Sequence, residues 1–583
     1  CAVLFTREQK IYYFKKAVPV ADELLAKLEE WLHLYTPYEI YIRSLLELYE
    51  LPEEDESAEL PILAGYQRPI VSRVLRNMDV HGGAMLVAST GLGKTIMAAH
   101  VVAYLHMQRI IEKAIILCPA GLKSMWHRTM RAAHVSSEEF SYYILSLENT
   151  FRYRDIVILE NELRRANKKT IIILDESHHL RNMLDGKELR LRHTRIIDMV
   201  NKEAKILLMT ATPYSREVED INAQLMLLPP YVSGQDLFGE PHKKYWRISK
   251  PADISEVPCS VVLTAPSVVK HFSIKDESNE HYVLFSKGEK RYFPRKIHMR
   301  NVAYKNPCDA MLIELLQSGL LNVKSDETGE GILIDTCVPG YRDALFEARI
   351  VHQFCSSIKQ IDSLFSKMER EGGFDKLRFE NQEILADWVA KARIEIQPFL
   401  SQQIDACNDE KIQKVVSIIQ SFPGRKAVIF CYYRETSKYI VECLRKLLPG
   451  IKVEHTVDKK VEEIEQLIRR FAPLSNSIDL ENGEEYIDEA AGRPVDILVA
   501  TTALSEGFNF QDASVLINFD LPWTVLVLAQ RMGRILRPWK EPREIFIFTI
   551  VPSTMENEKI YHALNWKNRL IKRNEEYTSF ADI

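Results

Sequence analysis

Ala88-Ser89-Thr90-Gly91-Leu92-Gly93-Lys94-Thr95 lies between two apolar segments, Ala84-Met85-Leu86-Val87 and Ile96-Met97-Ala98-Ala99. The first segment reads as a buried strand and the second as the opening of a helix, so the octapeptide is a strand-to-helix loop. A glycine-bearing loop ending in Lys-Thr at a helix start is the context a phosphate-binding loop requires. Loop N–H groups and the positive end of the helix dipole favour phosphate oxygens. Lys94 supplies a point charge for the β/γ-phosphates, and the Thr95 hydroxyl is placed to ligate Mg²⁺. Ala88 stands where the usual pattern begins with Gly. Strands ending in short Gly-Lys-Thr turns are common, so the rest of the chain must decide.

The surroundings are those of a large globular protein. The chain has 583 residues, 46% hydrophobic and 27% charged, which implies three or four domains and no dominant disorder. Its net charge of −5 excludes nucleic-acid binding by bulk charge; any such binding must use local basic patches. The nine cysteines form no C-x-x-C pair, which argues against a zinc ribbon and for a reducing, cytoplasmic setting. No apolar run is long enough to span a bilayer, so no membrane partner is expected. A start at Cys1 rather than Met leaves two readings open: a fragment that lacks an N-terminal domain, or, less expected beside a phosphate loop, a lipidated N-terminal cysteine.

Outward from the loop, apolar runs at 84–88, 114–118, 155–159, 171–174 and 205–209 alternate with helical patterns. The alternation returns at 427–431, 496–500, 515–518 and 545–551. Repeated β-α alternation implies parallel sheets with helices on both faces. The expected fold class is α/β: two parallel-sheet lobes, a helical insertion between them and a small helical adaptor in front. The expected boundaries are 1–56 for the adaptor, 57–230 for lobe 1, 231–404 for the insertion, 405–552 for lobe 2 and 553–583 for a tail. The adaptor reading rests on Leu24, Leu25, Leu28, Trp31 and Leu32 at helical spacing, and on a capping box at Thr36-Pro37-Tyr38-Glu39. The insertion reading rests on one long helix through Leu345, Phe346, Ile350, Phe354, Ile358, Ile361, Phe365 and Met368.

Other stretches carry chemistry. Ile171-Ile172-Ile173-Leu174 ends in Asp175-Glu176, which places two carboxylates at the C-terminal end of a buried strand, where doubly wound sheets bind ligands. Asp175 is placed to hold Mg²⁺ and Glu176 to orient an attacking water. Thr210-Ala211-Thr212-Pro213 follows another apolar run; taken alone it is a Ser/Thr turn before proline. Gln530-Arg531-Met532-Gly533-Arg534-Ile535-Leu536-Arg537 reads as helix, with Arg534 and Arg537 on one face. Two guanidiniums so placed can clamp the charge that develops on a transferring phosphoryl group. A basic, aromatic run from Lys287 through Lys290, Arg291, Tyr292, Phe293, Arg295 and Lys296 to Arg300 reads as a solvated hairpin or, less commonly, as a track for phosphates and bases.

In order, Gln67, ASTGLGKT, ILCPAGLKSMW, DESHHLRN, TATP, KAVIFCYYRET, TTALSEGFNFQ and QRMGRILR resemble the ordered motifs of the superfamily-two helicases. SEGFNFQ, FDLPW and QRMGRILRPW look closest to the Swi/Snf-type translocases, especially the bacterial RapA-like branch. The resemblance covers about residues 62–552, apart from most of 231–400. It implies two RecA-like lobes and an ATP hydrolase that uses Mg²⁺. Catalytic roles would fall to Lys94, Asp175, Glu176, Arg534 and Arg537. Nucleotide would be held by Gln67, which reads the adenine, by Thr90, Gly91, Gly93, Lys94 and Thr95, and by Gly507 and Gln530. Thr95 and Asp175 would hold the metal. Lys123, Trp126, Arg434, Thr501 and Thr502 match positions that face the nucleic-acid backbone in such proteins.

The implied function is ATP-driven movement along DNA, duplex rather than single-stranded. Thr-Ala-Thr at 210–212, a form shared with unwinding helicases where Swi/Snf-type proteins often have Thr-Gly-Thr, leaves strand separation open. An RNA-dependent or transcription-complex-remodelling ATPase is one alternative; a nucleotide-gated scaffold with little turnover is another of a different class. The segment around Trp31 and YTPYEIY also resembles the stretch before the motor in bacterial helicases with an upstream phospholipase-D-like nuclease. That implies, by analogy, nuclease or other defence-complex partners.

Overall fold

The computed structural model describes residues 3–5, 11–13, 63–133, 140–146, 161–180, 184–185, 188–189, 203–211, 213, 218–235, 241–285, 288–321, 344–369, 381–406, 409–476, 494–501, 508–521 and 525–553. The chain divides into two units, Cys1–Ala58 and Glu59–Ile583. In the first, Val3–Phe5 pairs antiparallel with Ile11–Tyr13. The expected adaptor helices, the strand at 155–159 and the tail beyond 553 lie outside the described residues.

The second unit contains two six-stranded sheets. Lobe 1 has β1 (Gly83–Ala88), β2 (Lys113–Cys118), β3 (Ser141–Ser146), β4 (Thr170–Asp175), β5 (Lys205–Thr210) and β6 (Ser260–Leu263), in the order β6-β1-β5-β4-β2-β3. Lobe 2 has β7 (Lys296–Tyr304), β8 (Lys426–Cys431), β9 (Val453–His455), β10 (Ile497–Thr501), β11 (Ala513–Asn518) and β12 (Glu544–Pro552), in the order β7-β12-β11-β8-β10-β9. Every neighbouring pair in both sheets is parallel.

Parallel sheets must be covered on both faces, which is why the central strands read as unbroken apolar runs. Successive residues of β4 serve opposite cores: Ile171 and Ile173 pack into one cluster, Ile172 and Leu174 into the other. Burying each such side chain contributes roughly 1.5–3 kcal/mol. In lobe 2, Ala427 and Ile429 face one core and Val428 and Phe430 the other.

The expected insertion, 231–404, is redrawn. Ser260–Leu263 adds an edge strand to lobe 1, in register from Ser260 opposite Met85 to Leu263 opposite Ala88. Lys296–Tyr304 pairs along its whole length with Glu544–Pro552 as the edge of lobe 2. The first is only four residues long, and the second mixes charged and polar residues (Lys296, His298, Arg300, Asn301) with only Ile297 and Tyr304 fully buried, so neither reads as an apolar run. Helices do occur among the described residues of 309–406, Asp309–Gln317 and Gln382–Ala406 among them. They share one continuous core with lobe 2 that runs from Tyr304 to Ile550. The single long helix is two, Ala344–Phe354 and Ile358–Met368. Ser357 breaks it, with an extended backbone and a side-chain oxygen that accepts from the Gln360 N–H.

Candidate nucleotide site

β1 delivers the phosphate loop to its C-terminal end, and Lys94–Met107 continues from it as a helix. Gly91 and Gly93 have φ of +88° and +80°, a region that costs an L-residue with a side chain about 1–2 kcal/mol. A Cβ on Gly93 would also collide with Gln67 Nε2. Gln67 is buried and holds the loop from behind: its Oε1 accepts from Ala64 N–H at 2.9 Å and its Nε2 donates to Leu92 C=O at 2.9 Å. The Tyr66 hydroxyl donates to the same carbonyl at 3.3 Å. Lys94 Nζ donates to Ala88 C=O at 3.2 Å and stands 4.0 Å from Glu176 Oε1. Thr90 and Thr95 are half-buried on the loop and in the first helical turn.

β4 delivers the acids. Asp175 is buried; its Oδ2 accepts from Trp126 Nε1 at 2.8 Å and its Oδ1 from the Glu176 N–H at 3.0 Å. Glu176 has φ of +52°, uncommon for a residue with a side chain and a mark of a constrained site. Burial, then the Glu176 charge, pushes the Asp175 carboxyl up. Burial also acts to raise Glu176, but Lys94, His178 and Arg534 together outweigh it and hold that carboxyl down. The His178 Nδ1 lies 3.3 Å from Glu176 Oε2 and 3.1 Å from Thr210 Oγ1, so it joins the ends of β4 and β5. The sequence signal for this bridge was the TATP hydroxyl, which on its own reads as a turn.

Lobe 2 supplies the other wall. The helix carrying Gln530 and Arg531 is Val525–Met532, and it ends before Gly533. Arg534 and Arg537 therefore follow the helix, a correction to their placement on one helical face; turn bonds from Arg534 N–H to Arg531 C=O and from Leu536 N–H to Met532 C=O close it. Arg537 crosses to lobe 1. A Cβ on Gly91 would meet its Cγ at 2.6 Å and its Cδ at 3.1 Å. Its guanidinium donates to Gly533 C=O at 3.1 Å and to Asn509 Oδ1. Burial, then Arg534, lowers the Arg537 pKa to about 9, with Tyr66 of lobe 1 opposing. Arg534 is buried, donates to Phe508 C=O at 3.3 Å, and contributes to holding Glu176 ionised. Gln530 is buried on its helix. Arg531 turns inward instead, to Asn518 Oδ1 at 3.0 Å and the Phe430 ring.

The expected nucleic-acid residues divide. Trp126 is fully buried and bonded to Asp175, so it does not face a nucleic acid. Leu122, Trp126 and Met130 form an i, i+4, i+8 stripe, and that periodicity already marks the position as core. Lys123 opens the helix Lys123–Ala132 and is half-buried. Arg434, exposed and paired with Asp458, opens Arg434–Leu447, and Thr501 closes β10; both stand at C-terminal strand ends of lobe 2. Gly507 and Thr502 lie outside the described residues. In the basic run, Arg291 pairs with Glu289 and Arg295 with Glu280, and Tyr292 forms a two-way backbone bridge to Trp539; this is a paired hairpin joining the lobes.

Residues 61–215 match the family described as type III restriction enzyme, res subunit, and 410–538 match the helicase conserved C-terminal domain. An uncharacterized ATP-dependent helicase of Bacillus subtilis, YqhH, is 21% identical over 87% of this chain and 78% of its own length. RNA polymerase-associated protein RapA of Sodalis glossinidius is 23% identical over 78% of this chain and 44% of its own length. In the two matched stretches the chain is similar to superfamily-two helicases, the RapA proteins among them. The chain spans under half the length of the RapA protein it matches. Among solved structures, the Pyrococcus furiosus Hef helicase domain aligns over 86% of this chain and 97% of its own, at 16% identity and a TM-score of 0.43. The two matched domains and the ATP-dependent helicase relative support an enzyme of the ATP-dependent helicase kind.

The residues present fit that nucleotide with its metal. The loop offers two left-handed glycines, a lysine and a helix N-terminus with no acidic residue in its first turn. Glu176 Oε2 is buried with His178 Nδ1 3.3 Å away, and a carboxylate oxygen so placed keeps acceptor capacity for a water. Among the described residues no cluster of three His, Cys, Asp or Glu could cage an ion. A Mg²⁺ held by one or two protein oxygens, phosphates and water needs no such cage.

Proposed function

We propose that the chain is a DNA translocase whose ATP site is shared between the lobes. The observation that carries this is Arg537 of lobe 2 lying across Gly91 of the phosphate loop in lobe 1. Loop amides and Lys94 bind the phosphates, with Thr90, Gly91 and Gly93 shaping the cradle. Thr95 and Asp175 hold Mg²⁺, which neutralises phosphate charge when bound. Glu176, kept ionised by Lys94 and Arg534, orients water and accepts its proton. Arg534 and Arg537 stabilise the charge on the transferring group. Gln67 governs adenine access through the Leu92 carbonyl it already holds. Because the two halves of the site belong to different lobes, nucleotide binding closes the cleft and hydrolysis relaxes it. Lys123, Arg434 and Thr501, at the cleft edge, track a nucleic-acid backbone.

Duplex DNA as the track rests on the Swi/Snf resemblance. A cytoplasmic setting fits the six described cysteines that form no disulfide, and no described helix is long and apolar enough to cross a membrane. The RapA relatives, RNA polymerase-associated proteins by name, favour a second reading, an ATPase that remodels a transcription complex. A place in genome defence beside a nuclease rests on resemblance alone. The test is ATP turnover with single-stranded DNA, duplex DNA and RNA side by side. Stimulation by duplex DNA, with release of the third strand from a triplex, supports the proposal. Stimulation by RNA alone overturns the DNA assignment, and no turnover with any of them returns the scaffold reading.

A further inference from the structure

At the end of lobe 1 away from the phosphate loop, a two-stranded ribbon projects from the base of the sheet. Tyr231–Gln235 pairs antiparallel with Pro241–Lys244, Tyr231 opposite Lys244 and Val232 opposite Lys243. The ribbon's root is fixed. Trp246 Nε1 donates to Pro229 C=O at 3.1 Å, and Pro229 packs on Gly82 and Gly83 at the start of β1. Tyr231 stacks on Trp246 at 4.5 Å, and Asn222 bonds both the N–H and the C=O of buried Ile248. β1 separates this root from the phosphate loop by about 20 Å, at ~3.3 Å per residue.

What the ribbon exposes is cationic. Lys243, Lys244, Arg247 and Lys250 are all exposed, with Tyr245 at 47% and Val232 at 60%. Among the described residues of 231–250 there is no acid, and none of the four cations makes an ion pair. With Asp236 and Glu240 counted from the sequence, residues 231–250 carry +2 in a chain whose net charge is −5. By contrast, Arg291 and Arg295 of the other basic run are each paired with a glutamate. Exposed lysines are ordinarily bland; these differ in being gathered on a rigidly rooted ribbon that is wet on both faces.

Successive strand residues point to opposite faces, so Lys243 and Lys244 present charge on both sides of the ribbon. A surface that is basic on two opposite sides matches a partner with negative charge on two sides. The major groove of a DNA duplex is such a partner: it is walled by phosphates and wide enough for a two-stranded ribbon. We infer that the ribbon Tyr231–Lys244, with Arg247, is a second duplex-DNA contact, seated between the phosphate walls of the groove and outside the cleft between the lobes. It rests on the DNA reading of the track, and it would anchor lobe 1 to the duplex while the cleft opens.

The test is the Lys243→Ala/Lys244→Ala/Arg247→Ala variant of the full chain, with duplex affinity measured against salt. Each lost phosphate contact removes about 0.9 from the slope of log K against log salt. The expected result is a slope shallower by roughly 2–3 and weaker binding at low salt, with the thermal midpoint unchanged. An unchanged slope for a folded variant, when the wild type binds duplex DNA, overturns the inference. So does an equal change on single-stranded DNA, which has no groove. Failure of the wild type to bind duplex DNA instead overturns the DNA reading itself.

Discussion

Replacing Trp126 with Phe isolates one hydrogen bond in the catalytic pocket. The indole Nε1 donates to Asp175 Oδ2 at 2.8 Å, and both side chains are buried. Phe keeps an aromatic ring in the site and removes the donor. A hydrogen bond to a charged group contributes about 1.5–3 kcal/mol, and the lost ring atoms add about 1–2 kcal/mol of packing. Part of the first figure falls on stability and part on function, because the Asp175 carboxylate loses the group that orients it. The expected result is a 10- to 100-fold rise in the Mg²⁺ concentration needed for half-maximal ATP turnover, at roughly 1.4 kcal/mol per tenfold. A double-mutant cycle with Asp175→Leu, which offers no acceptor, separates bond from packing: the stability cost of Trp126→Phe should fall toward the packing figure alone in the Leu background. If the cost is the same in both backgrounds and the Mg²⁺ dependence is unmoved, the bond plays no part in the site.

Three further outcomes follow from the geometry. Lys94→Ala should abolish turnover, whereas Glu176→Gln should bind ATP and stall; rapid hydrolysis by purified Glu176→Gln would remove Glu176 from its assigned role. Lys411 is buried against Asp520 at 3.3 Å and the Phe519 ring at 3.9 Å, so Lys411→Ala leaves a buried carboxylate uncompensated and should cost about 3–5 kcal/mol in chemical unfolding. Asp175 has a folded pKa raised above its unfolded value, so its contribution to nucleotide-free stability is present at low pH and lost as pH rises through the folded pKa. Asp175→Asn should therefore raise the unfolding midpoint of the nucleotide-free protein more at pH 8 than at pH 5, and the reverse order would contradict the burial argument.

The central strands were legible because burial on both faces writes them as apolar runs, such as Ile171–Leu174 in β4. The phosphate loop was legible because its conformation demands glycine at 91 and 93. Edge strands were not: β3 and β7 have two fully buried residues each among half-buried and exposed ones, and dissolve into their flanks. The helix that carries Gln530 ends at Met532 ahead of Arg534, and Ser357 held the cap that splits the long helix; both breaks lay inside patterns whose apolar spacing ran on past them. Trp126 was misplaced because its motif position was given more weight than the stripe it shares with Leu122 and Met130. The basic ribbon at 231–244 stayed hidden because a chain-wide charge of −5 masks it and pairing cannot be read from sequence.

The shared pocket is tested most directly by ATP turnover in Arg534→Ala, measured beside nucleotide affinity. A guanidinium that stabilises the transferring phosphoryl group is worth about 10³–10⁵ in turnover. The account predicts a loss of at least a thousandfold with nucleotide affinity within a few-fold of wild type. Turnover within tenfold of wild type would contradict it.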